Sequence, residues 1–194
     1  MLVVLVGIDG AGKTTAGQLL AQRLRASEYP AVFTRNSSGR RSITAWCVQR
    51  NINPSVRLLD AAETSIRCVN VFVSHLRALT GGRVVIMDRY LYCQSALRRA
   101  RGLKPGRFLP LLLKVLPTPD IVFYFDVPVG IAYNRICRRA TDIETLEHLQ
   151  ALDEAYTELA EFPTFITIDA SNPAEQLVED MLLELGRRGL ELPS

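Results

Sequence analysis

The residues best suited to chemistry stand at the start of the chain. Gly7-Ile8-Asp9-Gly10-Ala11-Gly12-Lys13-Thr14-Thr15 sets Gly7 and Gly12 five apart ahead of a Lys-Thr pair. This is the spacing of a phosphate-binding loop. Glycines at these positions allow positive φ and close backbone approach, so successive N–H groups can turn inward around phosphate oxygens at the start of a helix whose dipole also favours anions. Lys13 can then reach the β and γ phosphates of a nucleotide, with its side chain exposed to ligand, and the Thr14 hydroxyl can ligate Mg2+. The competing reading is a glycine-rich turn that binds nothing. Against it stands the choice of Lys13 in a chain with 20 arginines and 3 lysines among its 23 basic residues.

A second group lies at Asp88-Arg89-Tyr90, directly after the apolar run Arg83-Val84-Val85-Ile86-Met87. A carboxylate at the end of a central strand beside a phosphate loop can act on Mg2+ or its waters, and an arginine there can clamp a phosphate in bidentate fashion. Alone, the pair reads equally as a strand-end salt bridge; with the loop present, function is favoured. Arg135, Arg138 and Arg139 recur at i, i+3 and i+4, hence on one helix face. Near a nucleotide such a face suits a lid around residues 135–145; without one it is a solvated surface. Arg35, followed by the polar turn Asn36-Ser37-Ser38-Gly39, leaves the second apolar run at the end where open α/β sheets bind ligands.

The elements that must hold these groups follow from periodicity. Leu2-Val3-Val4-Leu5-Val6 is a buried strand that runs into the loop, and its five residues are too few for a signal peptide. A helix is expected from Lys13 to Ala26, a strand at Ala31–Thr34, a short helix around Arg41–Gln49 and a long helix from Ser55 to Leu79. The last has Leu58, Leu59, Ala62, Ile66, Val69, Val73 and Leu76 at three- and four-residue steps, with Val71 and Phe72 widening its apolar face. Strands at 83–87, 120–125 and 164–168 alternate with helices at 91–101, 108–116, 129–139, about 143–161 and 173–188, the last started by a Ser171/Asn172 cap. Five apolar strands alternating with helices give a doubly wound five-stranded parallel sheet, an α/β fold of the P-loop phosphotransferase or NTPase kind.

Composition bounds the rest. With 194 residues, 48% of them hydrophobic, the chain has the size of one domain. Its net charge of +3 argues against a nucleic-acid surface. Cys47, Cys68, Cys93 and Cys137 have no metal-ligand spacing and suit reduced thiols in the cytoplasm; His75 and His148 stand alone as surface or structural residues. No transmembrane segment is visible.

The loop spelling resembles that of thymidylate kinases, nucleoside monophosphate kinases that pass the γ-phosphate of ATP to dTMP. The resemblance continues through Phe33-Thr34-Arg35, Leu58-Leu59 to Glu63, Asp88-Arg89-Tyr90, Pro119-Asp120 to Asp126-Val127-Pro128, and Ala155-Tyr156-Thr157-Glu158-Leu159-Ala160. It implies that Gly7 to Thr15, with Ile8, Asp9, Gly10, Ala11, Gly12, Lys13 and Thr14 between them, hold the ATP phosphates, and that Thr14 and Asp88 hold Mg2+. Asp9 would face the acceptor sugar or the metal, Arg89 would bind the acceptor phosphate, and Arg135, Arg138 and Arg139 would neutralise charge in the transition state. Arg35, Arg67, Gln94 and Leu97 would line the acceptor nucleotide, and the protein would be a homodimer.

Three departures from the family pattern fall on the acceptor side. Asn36-Ser37-Ser38-Gly39 replaces Glu-Pro-Gly-Gly, Glu63-Thr64 replaces the Asp-Arg pair that helps hold the thymine base, and Leu97 replaces an aromatic residue that lies against the deoxyribose. The acceptor expected is dTMP. The alternatives are another nucleotide or nucleotide-like metabolite of a specialised pathway and, from a different class, a nucleotide-gated switch or assembly ATPase. A GTPase switch is disfavoured because none of the lysines stands in an Asn-Lys-x-Asp guanine motif.

Overall fold

The computed structural model describes residues 1–36, 50, 56–103, 108–139 and 144–190, with 56–63 and 108 described by their backbone alone. The expected short helix at Arg41–Gln49, the turn Ser37-Ser38-Gly39, the side chains of Leu58, Leu59, Ala62 and Glu63, Cys47, and the lid tip at Thr141-Asp142 lie outside them.

Strands β1 (Leu2–Val6), β2 (Ala31–Arg35), β3 (Val84–Asp88), β4 (Ile121–Asp126) and β5 (Ile166–Asp169) form one parallel sheet in the order β2-β3-β1-β4-β5. The register sets Leu5 beside Asp88 and Phe123, and Arg35 beside Asp88. Every residue of β1 and β3 is buried, which requires helices on both faces and explains why these strands are unbroken apolar runs with no alternation. The doubly wound α/β fold is therefore the one expected. Because β1 connects outward to β2 and later strands return to its other side, the crevice at the carboxyl end of β1 is where such a sheet receives ligands.

The helices are α1 (Lys13–Ala26), α2 (Val56–Thr80), α3 (Leu91–Ala100), α4 (Phe108–Val115), α5 (Val129–Arg139), α6 (Leu146–Thr157) and α7 (Ala174–Arg187). Helix α1 buries Ala16, Gly17, Leu20, Ala21 and Leu24. Gly17 has no room for a side chain, since a Cβ there would come within 2.7 Å of both Leu5 and the Phe33 ring. Against the sheet's other end, Tyr124 of β4 donates to Asp153 of α6 at 2.5 Å and packs edge-on against Phe162.

Three expectations fail in the helices. The core-facing side of α2 is not the stripe that includes Val69 and Leu76: Val71 is fully buried together with Arg67, Ser74 and His75, while Val69, Phe72, Leu76 and Leu79 are exposed by 61, 53, 43 and 76%. The polar residues reach the interior because they find partners there. His75 Nε2 lies 3.1 Å from the Tyr90 hydroxyl, and the Ser74 hydroxyl donates to the Asn70 carbonyl. The second failure is at α7, which starts after Pro173 with no side-chain cap; Asn172 turns back to Asp169 instead. Likewise α6 stops at Thr157 and a 3-10 turn at Phe162–Thr164 leads into β5.

Candidate active site

The loop between β1 and α1 owes its shape to its surroundings. Gly7 has φ 135° and a Cβ there would lie 2.8 Å from the Phe125 carbonyl oxygen; Gly10 has φ 87° and a Cβ there would lie 2.4 Å from the Ala132 carbonyl oxygen. The loop is thus pressed onto the end of β4 and onto α5, and only glycine fits at either contact. Gly12, itself left-handed at φ 89°, starts α1 without a side-chain cap, so the first turn keeps its N–H groups for a ligand.

Lys13 is buried, with 5% of its surface exposed, which corrects the expectation of a side chain reaching out to ligand. Its ammonium folds back and donates to the carbonyls of Gly7 at 2.9 Å and Ile8 at 2.6 Å, with Asp9 Oδ1 at 3.9 Å. The physical reason is satisfaction: a buried ammonium takes the nearest acceptors, and the loop supplies them. Burial pulls the Lys13 pKa below its ordinary value.

Around this lysine two further pairs form. The Thr14 hydroxyl donates to Asp88 Oδ2, and Arg89 donates through Nη2 to Asp9 Oδ1. Burial works against the charge of Asp9, but the neighbouring Arg89 and Lys13 cations and the Arg89 hydrogen bond outweigh it and hold the carboxyl at about 2. Burial likewise opposes the charge on Arg89, and Asp9 more than compensates, raising its pKa. Arg89 adopts φ 73°, a left-handed backbone for a residue with a long side chain. That conformation costs on the order of 1–2 kcal/mol and is retained where the surroundings over-determine it. Here it turns the guanidinium from the end of β3 toward the loop.

These groups line a cavity of about 140 Å3 bounded by Asp9, Gly10, Gly12, Lys13, Thr14, Thr15, Asp88, Arg89, Ile136, Arg139 and Glu144. The structure therefore brings together the loop, both expected metal ligands, Arg89 and one lid arginine. Arg135 instead donates to the Ala170 carbonyl at 3.0 Å and spans toward Gly10 and Ser171, and the exposed Arg138 is not among the lining residues. Of the acceptor-side residues, Arg67 on α2 and Gln94 on α3 are buried, Leu97 is half-buried on α3, and Arg35 is exposed at the end of β2; none borders this cavity. Asn36, buried at the exit of β2, donates its N–H to the Asp88 carbonyl at 2.9 Å and accepts from Asn70 at 3.2 Å.

Glu144 was not foreseen. It lines the cavity together with Asp9. A single acidic residue just ahead of the Thr145 cap of α6 carries no motif, and only the folded chain sets it opposite the loop.

The donor set fits a hard divalent cation. Asp88 Oδ1 is buried and has no hydrogen-bond partner, and the Thr14 hydroxyl sits on the other oxygen of the same carboxylate. Among the described residues no group of three or more His, Cys, Asp or Glu side chains could hold a metal by itself. That suits Mg2+, which is commonly held by one or two protein oxygens and by substrate phosphates.

A parallel sheet with a phosphate loop after β1, a carboxylate at the adjoining end of β3 and cations converging from β3 and α5 defines a P-loop phosphotransferase. The chain belongs to the thymidylate kinase family, whose model matches residues 5–181, and it is a nucleoside monophosphate kinase. Curated proteins named probable thymidylate kinase are similar to it over nearly their whole length. The one from Archaeoglobus fulgidus is 29% identical, covering 93% of this chain and 92% of its own. Those from Thermococcus gammatolerans and Thermococcus kodakarensis are 32% and 33% identical, covering 94% and 90% of this chain and 94% and 92% of their own.

Proposed function

We propose that the protein transfers the γ-phosphoryl group of ATP to dTMP, giving ADP and dTDP, with Mg2+ as its metal. An oxygen of the acceptor phosphate attacks the γ-phosphorus as the bond to the β-phosphate oxygen breaks, so catalysis consists of positioning and charge neutralisation. The observation that carries the reading is the Thr14–Asp88 contact beside Lys13, with Asp88 Oδ1 left without a partner.

Loop amides from Gly7 to Thr15 cradle the phosphates of ATP, and Lys13 exchanges the Gly7 and Ile8 carbonyls for β and γ oxygens. Thr14 and Asp88 would hold the metal, which would supply positive charge beside the phosphates. Arg89 takes the acceptor phosphate, held meanwhile in its left-handed conformation by Asp9. Arg139 approaches the transferring group from α5; Arg135 fixes the loop to the end of β5 through the Gly10 and Ala170 carbonyls. Arg67, Gln94 and Leu97 form the acceptor wall, while Arg35 borders a separate cavity.

The chain works as a single kinase domain with a lid around residues 135–145 and as a homodimer. Dimerisation is supported by the apolar stripe of Val69, Phe72, Leu76 and Leu79 on α2, which a soluble monomer rarely leaves uncovered. Free thiols at Cys68, Cys93 and Cys137 support a reducing, cytoplasmic setting, and no helix among the described residues is long and apolar enough to cross a membrane.

A second reading, transfer to a different nucleoside monophosphate, is favoured by the Asn36–Asn70 amide pair at the exit of β2 and by the aliphatic Leu97. ADP release across a panel of nucleoside monophosphates, with ATP and Mg2+, separates the two. Preference for dTMP supports the first and preference for another monophosphate the second. A flat response to all of them sinks both.

A further inference from the structure

A second cavity, of about 160 Å3, opens between the edge strand β2 and helix α2. It shares no lining residue with the loop cavity, and its charge differs in kind. The loop cavity sets Lys13, Arg89 and Arg139 against Asp9, Asp88 and Glu144, and Asp9 pairs with both Lys13 and Arg89. The second is bordered by Arg35 and Arg77 and by no described carboxylate. Neither guanidinium has a hydrogen bond or ion pair among the described residues.

The third donor is Thr34, whose hydroxyl oxygen is buried and has no hydrogen-bond partner. A desolvated hydroxyl left unpaired costs about 1–3 kcal/mol, so a native structure that keeps one generally has a use for it. The other polar groups are committed: Asn70 donates to Asn36, and the Ser74 hydroxyl donates to the Asn70 carbonyl. What remains along the lining is two arginines and one hydroxyl donor. Arginine matches tetrahedral oxyanions with paired N–H donors, so an anion suits this lining better than water does.

We propose that this cavity binds one phosphate-like oxyanion, with Arg35 and Arg77 pairing its oxygens and the Thr34 hydroxyl donating a third hydrogen bond. The ion is either free phosphate or the terminal phosphoryl group of a larger molecule. The site is distinct from the one that takes the acceptor phosphate, which faces Arg89.

The test is titration of the full-length protein with inorganic phosphate, at constant ionic strength, followed by thermal unfolding and by calorimetry. Wild type is compared with Arg77→Gln, Arg77→Lys, Thr34→Val and Lys13→Ala. Lys13→Ala removes the competing anion site at the loop; a wild-type sample whose loop is filled with a non-hydrolysable ATP analogue and Mg2+ serves the same purpose should that variant fold poorly. Phosphate binding should survive in both loop-blocked samples, weaken about tenfold in Arg77→Gln and less in Arg77→Lys and Thr34→Val. A parallel arm uses a nucleoside triphosphate without Mg2+ on Lys13→Ala. Arg77-dependent binding there, without a response to inorganic phosphate, assigns the ion to a larger molecule. The proposal is overturned if neither probe binds once the loop is blocked, or if binding is the same in Arg77→Gln and wild type.

Discussion

The ends of β3 and β2 lie side by side, with Asp88 in register with Arg35, yet they are built in opposite ways. At the end of β3 all five strand residues are buried, Asp88 is gripped by Thr14, and Arg89 is held in a left-handed conformation against Asp9. At the end of β2 the guanidinium of Arg35 is exposed and faces a different cavity, and Asn36 is secured by one amide contact to α2. Under the proposed function the first end meets phosphates and a metal, and its residues are locked together before any ligand arrives. The second is looser: Arg35 is exposed, and the side chains across from it, Asn70 and Arg77, come from α2. The loop end is therefore rigid and local, while the β2 end depends on a helix from elsewhere in the chain.

The largest expected effect breaks the locked end. Lys13→Ala should reduce kcat/KM by about a thousandfold or more, since it removes a cation aimed at the transferred group. It should also lower stability by about 1 kcal/mol, because the Gly7 and Ile8 carbonyls lose their donor. Steady-state kinetics with dTMP and denaturant unfolding measure both; near-normal turnover would mean that the loop is not the donor site.

Next come the three arginines of α5, which the structure separates. Arg139→Ala should lower kcat about a hundredfold with ATP affinity little changed, as expected of a charge that acts in the transition state. Arg135→Ala should act mainly on melting temperature and ATP binding, because its guanidinium ties carbonyls of the loop and the β5 exit. Equal losses in kcat from both variants, and from Arg138→Ala, would erase the distinction.

On the acceptor side the effect is smaller. Leu97 is half-buried on α3 and less bulky than an aromatic ring, so the sugar pocket should tolerate an added 2′-hydroxyl. Discrimination between matched deoxy- and ribonucleoside monophosphates should stay below about a hundredfold, the limit for an apolar pocket with room to spare. Leu97→Tyr should widen it. Strong wild-type discrimination that the variant leaves unchanged would assign sugar selection to another group.

The smallest effect is that of pH on stability. Asp9 is held at about 2 against an ordinary 3.8, so its contribution is complete above 3.8 and is lost as pH falls from there toward about 2. With 31% of the side chain exposed, that contribution is at most about 2 kcal/mol. Burial lowers the His75 pKa below 6.5, so the neutral ring favours folding fully above 6.5 and progressively less as pH drops below it. Urea unfolding from pH 8 to pH 3 should therefore show a first loss that begins near 6.5 and disappears in His75→Phe, and a second below 4 that disappears in Asp9→Asn. A loss with the opposite trend would contradict both assignments.

How much of this was legible in the sequence follows the same divide. The loop and Asp88-Arg89 are contiguous words next to unbroken apolar strands, so their position at the crevice could be read directly, as could the five-stranded order of elements. The inward fold of Lys13, the outward face of α2 and the diversion of Arg135 could not. Each depends on which acceptor or apolar neighbour the folded chain supplies, and periodicity on α2 cannot tell a stripe covered by the sheet from one left exposed. Glu144 was invisible because its place in the cavity arises only from approach across the folded chain.

The central claim, that this site transfers phosphoryl groups to a nucleotide and does not merely hydrolyse ATP, is tested most directly by following the label from γ-labelled ATP over many turnovers in the presence of dTMP and Mg2+. The label should appear in dTDP in step with ADP release, with no labelled protein. Release of the label as inorganic phosphate, at a rate indifferent to dTMP and to every other monophosphate, would contradict the account and mark the protein as a nucleotide-driven switch.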